Sequence, residues 1–234
     1  MDKEWSVSIK FMSEITGIMD AALKVINEAD AKDGLIPMRG IVTNLTMSVS
    51  RWAGALYADV YLNVPWVSQV GDDAALASGD CGAACASMIS AFYHPTNAYR
   101  SPDWFTTKMG TVFRYATVRD IMEVLRVVDG LQSRVYGEYN HIMLTEDTIE
   151  KALDEGHPVI ALVDYEIVNP GDSFDGLHWI VISGYTNSEY HILDPLPVDI
   201  HEGMVYVGKS TIIAALNNTP NKGAQAGHGL VVYR

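Results

Sequence analysis

The 234-residue chain is 48% apolar and 19% charged, which allows a sizeable core and excludes general disorder. Its formal charge of −13, from 16 Lys+Arg against 29 Asp+Glu, argues against a nucleic-acid backbone or an anionic membrane surface as partner, since both need clustered cations. The two cysteines, Cys81 and Cys85, are too few for a disulfide scaffold and too close in sequence for a favourable bridge, so they read as free thiols.

The N-terminus, MDKEWSVSIKF, carries Asp2 and Glu4 where an export signal would be only basic, and no run approaches the ~20 apolar residues of a membrane span. The expectation is a soluble protein, cytoplasmic or released without a classical signal, with no membrane insertion. Over residues 4–29, Phe11, Ile15, Ile18, Ala22 and Val25 recur at helical spacing, and Met12, Met19 and Ile26 widen the stripe. Gly34 closes that pattern, and Leu45–Ser50 alternates like a strand. Residues 1–60 are therefore expected to form an N-terminal helical extension, which either docks on its own domain or provides a seam for self-association through residues 4–29.

From Leu62 the texture changes, and residues 61–234 read as one domain. VPWVSQ is extended and leads into the acidic loop GDDAALASGD. CGAACASMISAFY follows, with Asp80 at or just before its N-cap and Cys81, Ala84, Cys85, Met88, Ile89 and Phe92 on one helical face. Thr117-Val-Arg-Asp120 has the form of a capping box opening a helix that Gly130 stops, and Thr145 caps another that ends at Gly156. VIALVDY, HWIVISGY and YHILD are then strand-like runs in close succession. Helices first and an antiparallel sheet after them describe an α+β fold.

Cysteine at a helix N-terminus has a chemical use, because that end of a helix favours negative charge and the thiolate is the nucleophile. Cys81 has that position, while Cys85 is one turn deeper and reads as a small buried apolar group. A thiol nucleophile needs a base, a group that orients the base, and donors for the oxyanion. His178 opens a strongly apolar run that would hold it rigidly at a sheet end, and Asp194 ends the next run, so a short turn could set them side by side. Gln69 follows an extended segment and could offer an amide donor. His94, His141, His157, His191, His201 and His228 lack metal-ligand spacing and read as surface or structural. Asp172 and Asp175 read as a solvated cleft rim.

GDCGAACASMI resembles the Asp-Cys-Gly-x-Ala-Cys-x-x-Met-Ile pattern of the bacteriocin-processing, double-glycine-type peptidases and their stand-alone relatives. VPWVSQ, GHPVIALVDY, HWIVISGY and ILDPL resemble the rest of that family's pattern in the same order, from about Leu62 to Leu216. The resemblance implies a papain-like fold, a helical part carrying the nucleophile followed by an antiparallel sheet, and neither metal nor organic cofactor. It also implies Cys81 as nucleophile, His178 as base, Asp194 as its orienter and Gln69 as oxyanion donor, acting on a peptide or peptide-like amide. Relatives that process bacteriocin leaders cut after paired glycines. Trp66 and Trp179 are expected to crowd the cleft and favour Gly or another small residue before the cut. The sequence departs from the family in having Ala83 after Cys-Gly and the acidic GDDAALASGD between Gln69 and Cys81, and the expectation is a peptidase without an exporter domain beside it.

Two other readings compete. Gly203-Met-Val-Tyr-Val-Gly208-Lys209-Ser210-Thr211 satisfies the phosphate-loop pattern letter for letter, with Asp164 ending an apolar run as a candidate Mg²⁺ partner. Against it, PVDIHE precedes Gly203 where an apolar strand is needed, and Met-Val-Tyr-Val is itself strand-like. Lys209 then reads as a helix-start surface residue. The other alternative is a catalytically silent binding module on the same fold.

Overall fold

Val159–Val163 is apolar at every position, and a strand of that kind needs cover on both faces because successive side chains point to opposite sides. The computed structural model describes residues 59–70, 79–97, 99–112, 114–137, 142–172, 174–197 and 200–234, and in it both faces are covered. The expected helix over 4–29, the strand at 45–50 and the self-association seam lie outside these residues.

The strands are β1 (Val60–Tyr61), β2 (Gln132–Tyr136), β3 (Val159–Asp164), β4 (Leu177–Tyr185), β5 (Glu189–Leu193), β6 (Met204–Gly208) and β7 (Gly229–Tyr233). They form one antiparallel sheet in the order β2-β7-β3-β4-β5-β6, with β1 beside the end of β4, Val60 opposite Tyr185 and Tyr61 opposite Gly184. Helices α1 (Cys81–Tyr93), α2 (Pro102–Met109) and α3 (Val118–Asp129) cover one face. There Met88, Ile89, Phe105, Ile121 and Leu125 meet Ile160, Leu162, Trp179 and Val181. Helices α4 (Glu146–Asp154) and α7 (Lys209–Asn218) cover the other, where Ile149, Leu153, Ile212 and Leu216 meet Val159, Ala161, Ile180 and Ile182. Short α5 (Tyr165–Val168) and α6 (Ile200–Gly203) sit at strand ends, and a 3₁₀ turn (Thr219–Lys222) follows α7.

Local chemistry sets the helix ends. The Thr117 side chain accepts from Asp120 N–H, and the Asp120 carboxylate accepts from Thr117 N–H at 2.8 Å, completing the capping box of α3. Gly130 ends α3 at φ 69°, in the left-handed region. Thr145 caps α4 as expected. Helix α2, which sequence patterning does not reveal, is fixed by the Ser101 cap, Pro102 in its first turn and Gly110 at φ 67°.

Helix α1 is buried beyond its apolar face: every residue from Cys81 to Ser90 is buried. The cause is tertiary: α2, α3 and β4 all pack against α1.

Candidate active site

The site is built where the start of β4, the end of β5 and the N-terminus of α1 meet. Val181 pairs with Leu193, so Asp194 stands one step beyond the paired residues, on the same face as His178 by strand alternation. His178 Nε2 lies 2.8 Å from Asp194 Oδ1. With Nε2 engaged there, the ring nitrogen left for the nearby Cys81 side chain is Nδ1. Cys81, His178 and Asp194 are 6%, 1% and 4% exposed, so this contact is made almost out of solvent.

Gly82 explains how α1 comes so close. A Cβ at Gly82 would stand 2.8 Å from Ala116 Cβ and 3.2 Å from Trp179 Cδ1, so a side chain there would push the helix off the sheet. Asp80 is the N-cap residue, but its carboxylate makes no cap hydrogen bond and instead accepts from Thr106 Oγ1 at 2.7 Å, pinning the start of α1 to α2.

Gln69 arrives by a different route. The segment before it is laid along the Asp194–Pro197 turn: Trp66 Nε1 donates to Asp194 O at 2.7 Å, Ser68 Oγ to Pro197 O at 2.9 Å, and Gln69 N–H to Pro195 O at 2.7 Å. Gln69 is thus buried against the turn that carries Asp194, bonded to the residue that follows it.

Burial alone would hold the His178 imidazole neutral, but hydrogen bonds and charge from Asp194 and Cys81 outweigh it and raise its pKa to about 9. Burial likewise works to raise Asp194, and the bonds from His178, Tyr165 and Leu196 N–H overcome it, so the carboxyl stays below its usual range. Burial pushes the Cys85 thiol well up, helped by the nearby Cys81 and Asp194.

Tyr165 was not singled out from sequence. Its hydroxyl donates to Asp194 Oδ2 at 2.7 Å, and its ring meets the His178 ring edge-on at 4.8 Å. The available signal was its place at the end of VIALVDY, directly after a buried strand. Trp179 departs from the expected cleft wall. It is 3% exposed and donates to Ala116 O, so it belongs to the core beneath α1. Trp66, partly buried, does lie against the Asp194 turn.

The phosphate-loop reading fails on geometry. Met204–Gly208 is strand β6, paired with β5, rather than a loop able to turn its N–H groups around a phosphate. A Cβ at Gly203 would lie 2.2 Å from Trp66 Nε1, so the first glycine serves close packing. Lys209 starts α7 as expected, but it is not a surface residue. Its ammonium pairs with Glu150 and sits 4.6 Å from the centre of the Tyr185 ring, with the side chain 11% exposed. Asp164 instead accepts from Asn218 Nδ2 at 2.7 Å. Asp164, Glu166 and Asp175 offer carboxylate oxygens within 4.8 Å of one another, and Lys222 places its ammonium against Asp175 and Glu166. Asp172 and Asp175 are exposed, which fits a rim. Among the described residues no helix is long and apolar enough to cross a membrane.

The model of the Peptidase_C39 like family matches residues 61–218. The chain belongs to that family. The C39-like match spans every element that builds the site, from β1 to α7. A putative C39-like peptidase from Bacillus anthracis shares the fold, with TM-score 0.50, 13% identity, and 75% of this chain and 97% of that one covered. The chain is also similar to the peptidase domain of Streptococcus ComA, a bifunctional ABC transporter of a quorum-sensing pathway, with TM-score 0.48, 19% identity and coverage of 73% and 96%. A further similar structure is a double-glycine-motif protease from an AMS/PCAT transporter in complex with its leader peptide, with TM-score 0.48, 16% identity and coverage of 74% and 94%. No curated protein gives a significant sequence match.

Proposed function

We propose that this C39-like chain is a cysteine peptidase that cleaves a peptide or peptide-like amide after Gly or another small residue. The observation that carries the reading is His178, almost fully buried, hydrogen-bonded to Asp194 and with the Cys81 side chain near enough to help raise its pKa. In this proposal Cys81 Sγ attacks the scissile carbonyl carbon and its proton is held on His178 Nδ1. The carbonyl electrons move to oxygen, which Gln69 and the Cys81 N–H stabilise; as the first residue of α1, Cys81 has no intrahelical acceptor for that N–H. His178 then gives the proton to the leaving amine, the C–N bond breaks, and an acyl-thioester remains. Water, deprotonated by His178, adds to the thioester carbonyl, and Cys81 leaves as the acid product forms. Asp194 holds the imidazole in position and keeps Nε2 protonated throughout.

Alkylation with an iodoacetamide probe and mass-spectrometric site mapping tests the chemistry. Cys81 should label quickly at neutral pH and Cys85 slowly, because Cys81 starts α1 beside His178 whereas Cys85 is one turn deeper, where burial raises its thiol pKa. An unreactive Cys81 would favour the silent binding module, and a faster Cys85 would overturn the nucleophile assignment. Digestion of a peptide library tests specificity. Dominant cleavage after Phe, Leu or Arg would refute the small-residue preference, and no cleavage by a rapidly labelled enzyme would point to a non-peptide amide.

A further inference from the structure

The hydrogen-bond chain behind the thiol does not end at Asp194. Asp194 Oδ1 accepts from His178 and, at 2.9 Å, from Leu196 N–H, whereas Oδ2 accepts from Tyr165 OH at 2.7 Å. The phenol oxygen in turn accepts from Asn169 Nδ2 at 3.3 Å. The direction of these bonds is fixed: an ionised carboxylate can only accept, so the phenol proton points at Asp194, and the phenol oxygen is left to accept from the Asn169 amide. Tyr165 is 1% exposed and its ring is bracketed by Phe174 at 5.8 Å and His178 at 4.8 Å, so it has no solvent to turn toward.

We propose that Tyr165 is a positioning residue of this site: its hydroxyl, aimed by Asn169, fixes the plane of the Asp194 carboxylate and limits how firmly the Asp194–His178 pair retains the transferred proton. The proposal rests on the reading of Cys81, His178 and Asp194 as the reacting set. The physical argument concerns competition for one carboxylate. A donor bonds more strongly to a carboxylate bearing its full charge, which is the case when His178 is neutral, than to one already paired with an imidazolium. Tyr165 OH thus stabilises the neutral-histidine state more than the charged one. It makes His178 a readier donor to the leaving amine than Asp194 alone would. Among the described residues, the other ionisable groups acting on these side chains are Cys81 at His178, Cys85 near Asp194 and Asp172 near Tyr165, and substitution of Tyr165 leaves all three in place.

Tyr165→Phe keeps the ring and removes only the hydroxyl. Ring-nitrogen NMR of the full chain should show the His178 titration midpoint rising by about half to one pH unit. On any peptide the enzyme cleaves, kcat should fall about 3- to 10-fold with KM unchanged. Asn169→Ala, at an exposed side chain, should move the midpoint the same way by less, and it decides the matter if Tyr165→Phe does not fold. An unmoved His178 midpoint in a folded variant overturns the proposal, even in an active enzyme; a role in packing alone would lower the unfolding temperature and leave the midpoint where it was. A moved midpoint beside an unreactive Cys81 supports the Tyr165 role and overturns the peptidase reading instead.

Discussion

His178 stands near the start of β4 and His191 in the middle of β5, and the two are 1% and 4% exposed. Burial pushes both imidazoles toward the neutral form, but only at His191 does it prevail, lowering the pKa from 6.5 to about 4. His191 Nδ1 meets the Ser183 hydroxyl at 2.7 Å, and its faces lie 5.0 Å from the Tyr61 ring and 4.9 Å from the Tyr206 ring. A hydroxyl dipole and two rings satisfy a neutral imidazole without stabilising a charged one enough to offset desolvation. At His178 the same loss of water is outweighed by the Asp194 carboxylate and Cys81, and the pKa rises to about 9. Depth in the sheet is shared by the two residues. What separates His191 from His178, the proposed base, is the charge of the partner that the neighbouring strand or its end supplies.

Breaking the reactive member should have the largest effect. Cys81→Ala should abolish cleavage, and His178→Ala should lower kcat/KM about 10²–10⁴-fold and slow Cys81 labelling, with His191 unaffected. Rapid Cys81 labelling in His178→Ala would detach the base from the thiol. Asp194→Asn converts the surroundings of His178 into those of His191. Its midpoint should fall from about 9 to below 6.5, because desolvation is then opposed by no carboxylate, and activity should drop less than in Cys81→Ala. NMR of the ring nitrogens reads the shift, and a midpoint still near 9 would show that Asp194 is not its source.

Gln69→Ala should reduce kcat about 10²–10³-fold, the usual loss for one oxyanion donor, while leaving both histidine midpoints in place. A fully active variant would remove Gln69 from the site.

Stability should follow the two histidines in opposite directions. The folded pKa of His191 lies below its ordinary value, so its contribution is complete above pH 6.5 and is lost as pH falls toward 4, by roughly 3 kcal/mol. The folded pKa of His178 lies above its ordinary value, so its contribution is complete below pH 6.5 and is lost as pH rises through about 9. Urea unfolding across this range should therefore peak near pH 6.5, and His191→Gln should flatten the acid limb relative to the parent protein. An acid limb identical in both would mean that His191 does not titrate as its surroundings dictate.

The smallest expected effect is at Lys209. Lys209→Ala should cost about 1 kcal/mol of stability through the lost Glu150 pair and ring contacts, without altering peptidase activity. Calorimetry with Mg-ATP should show no binding before or after the change.

Much of this was written in local sequence. Thr117 with Asp120 and Thr145 set helix starts through side-chain oxygens a few residues from the N–H groups they satisfy, so α3 and α4 could be read directly. The runs that became β3, β4 and β5 were continuous and apolar, and Cys81, His178 and Asp194 stood at the edges of such runs, where strand and helix ends bring side chains together. Only the tertiary structure decided the rest. It buried α1 from Cys81 to Ser90, because α2 and α3 pack against it, and it took Trp179 into the core beside Gly82. It gave Lys209 a partner on α4 and made the phosphate-loop pattern a strand and a helix start. It brought Tyr165 to the far oxygen of Asp194, a contact between residues 29 apart in sequence. It also made His178 and His191 different, since each imidazole takes its character from a partner on or just beyond the neighbouring strand, and strand register rather than sequence proximity selects that partner.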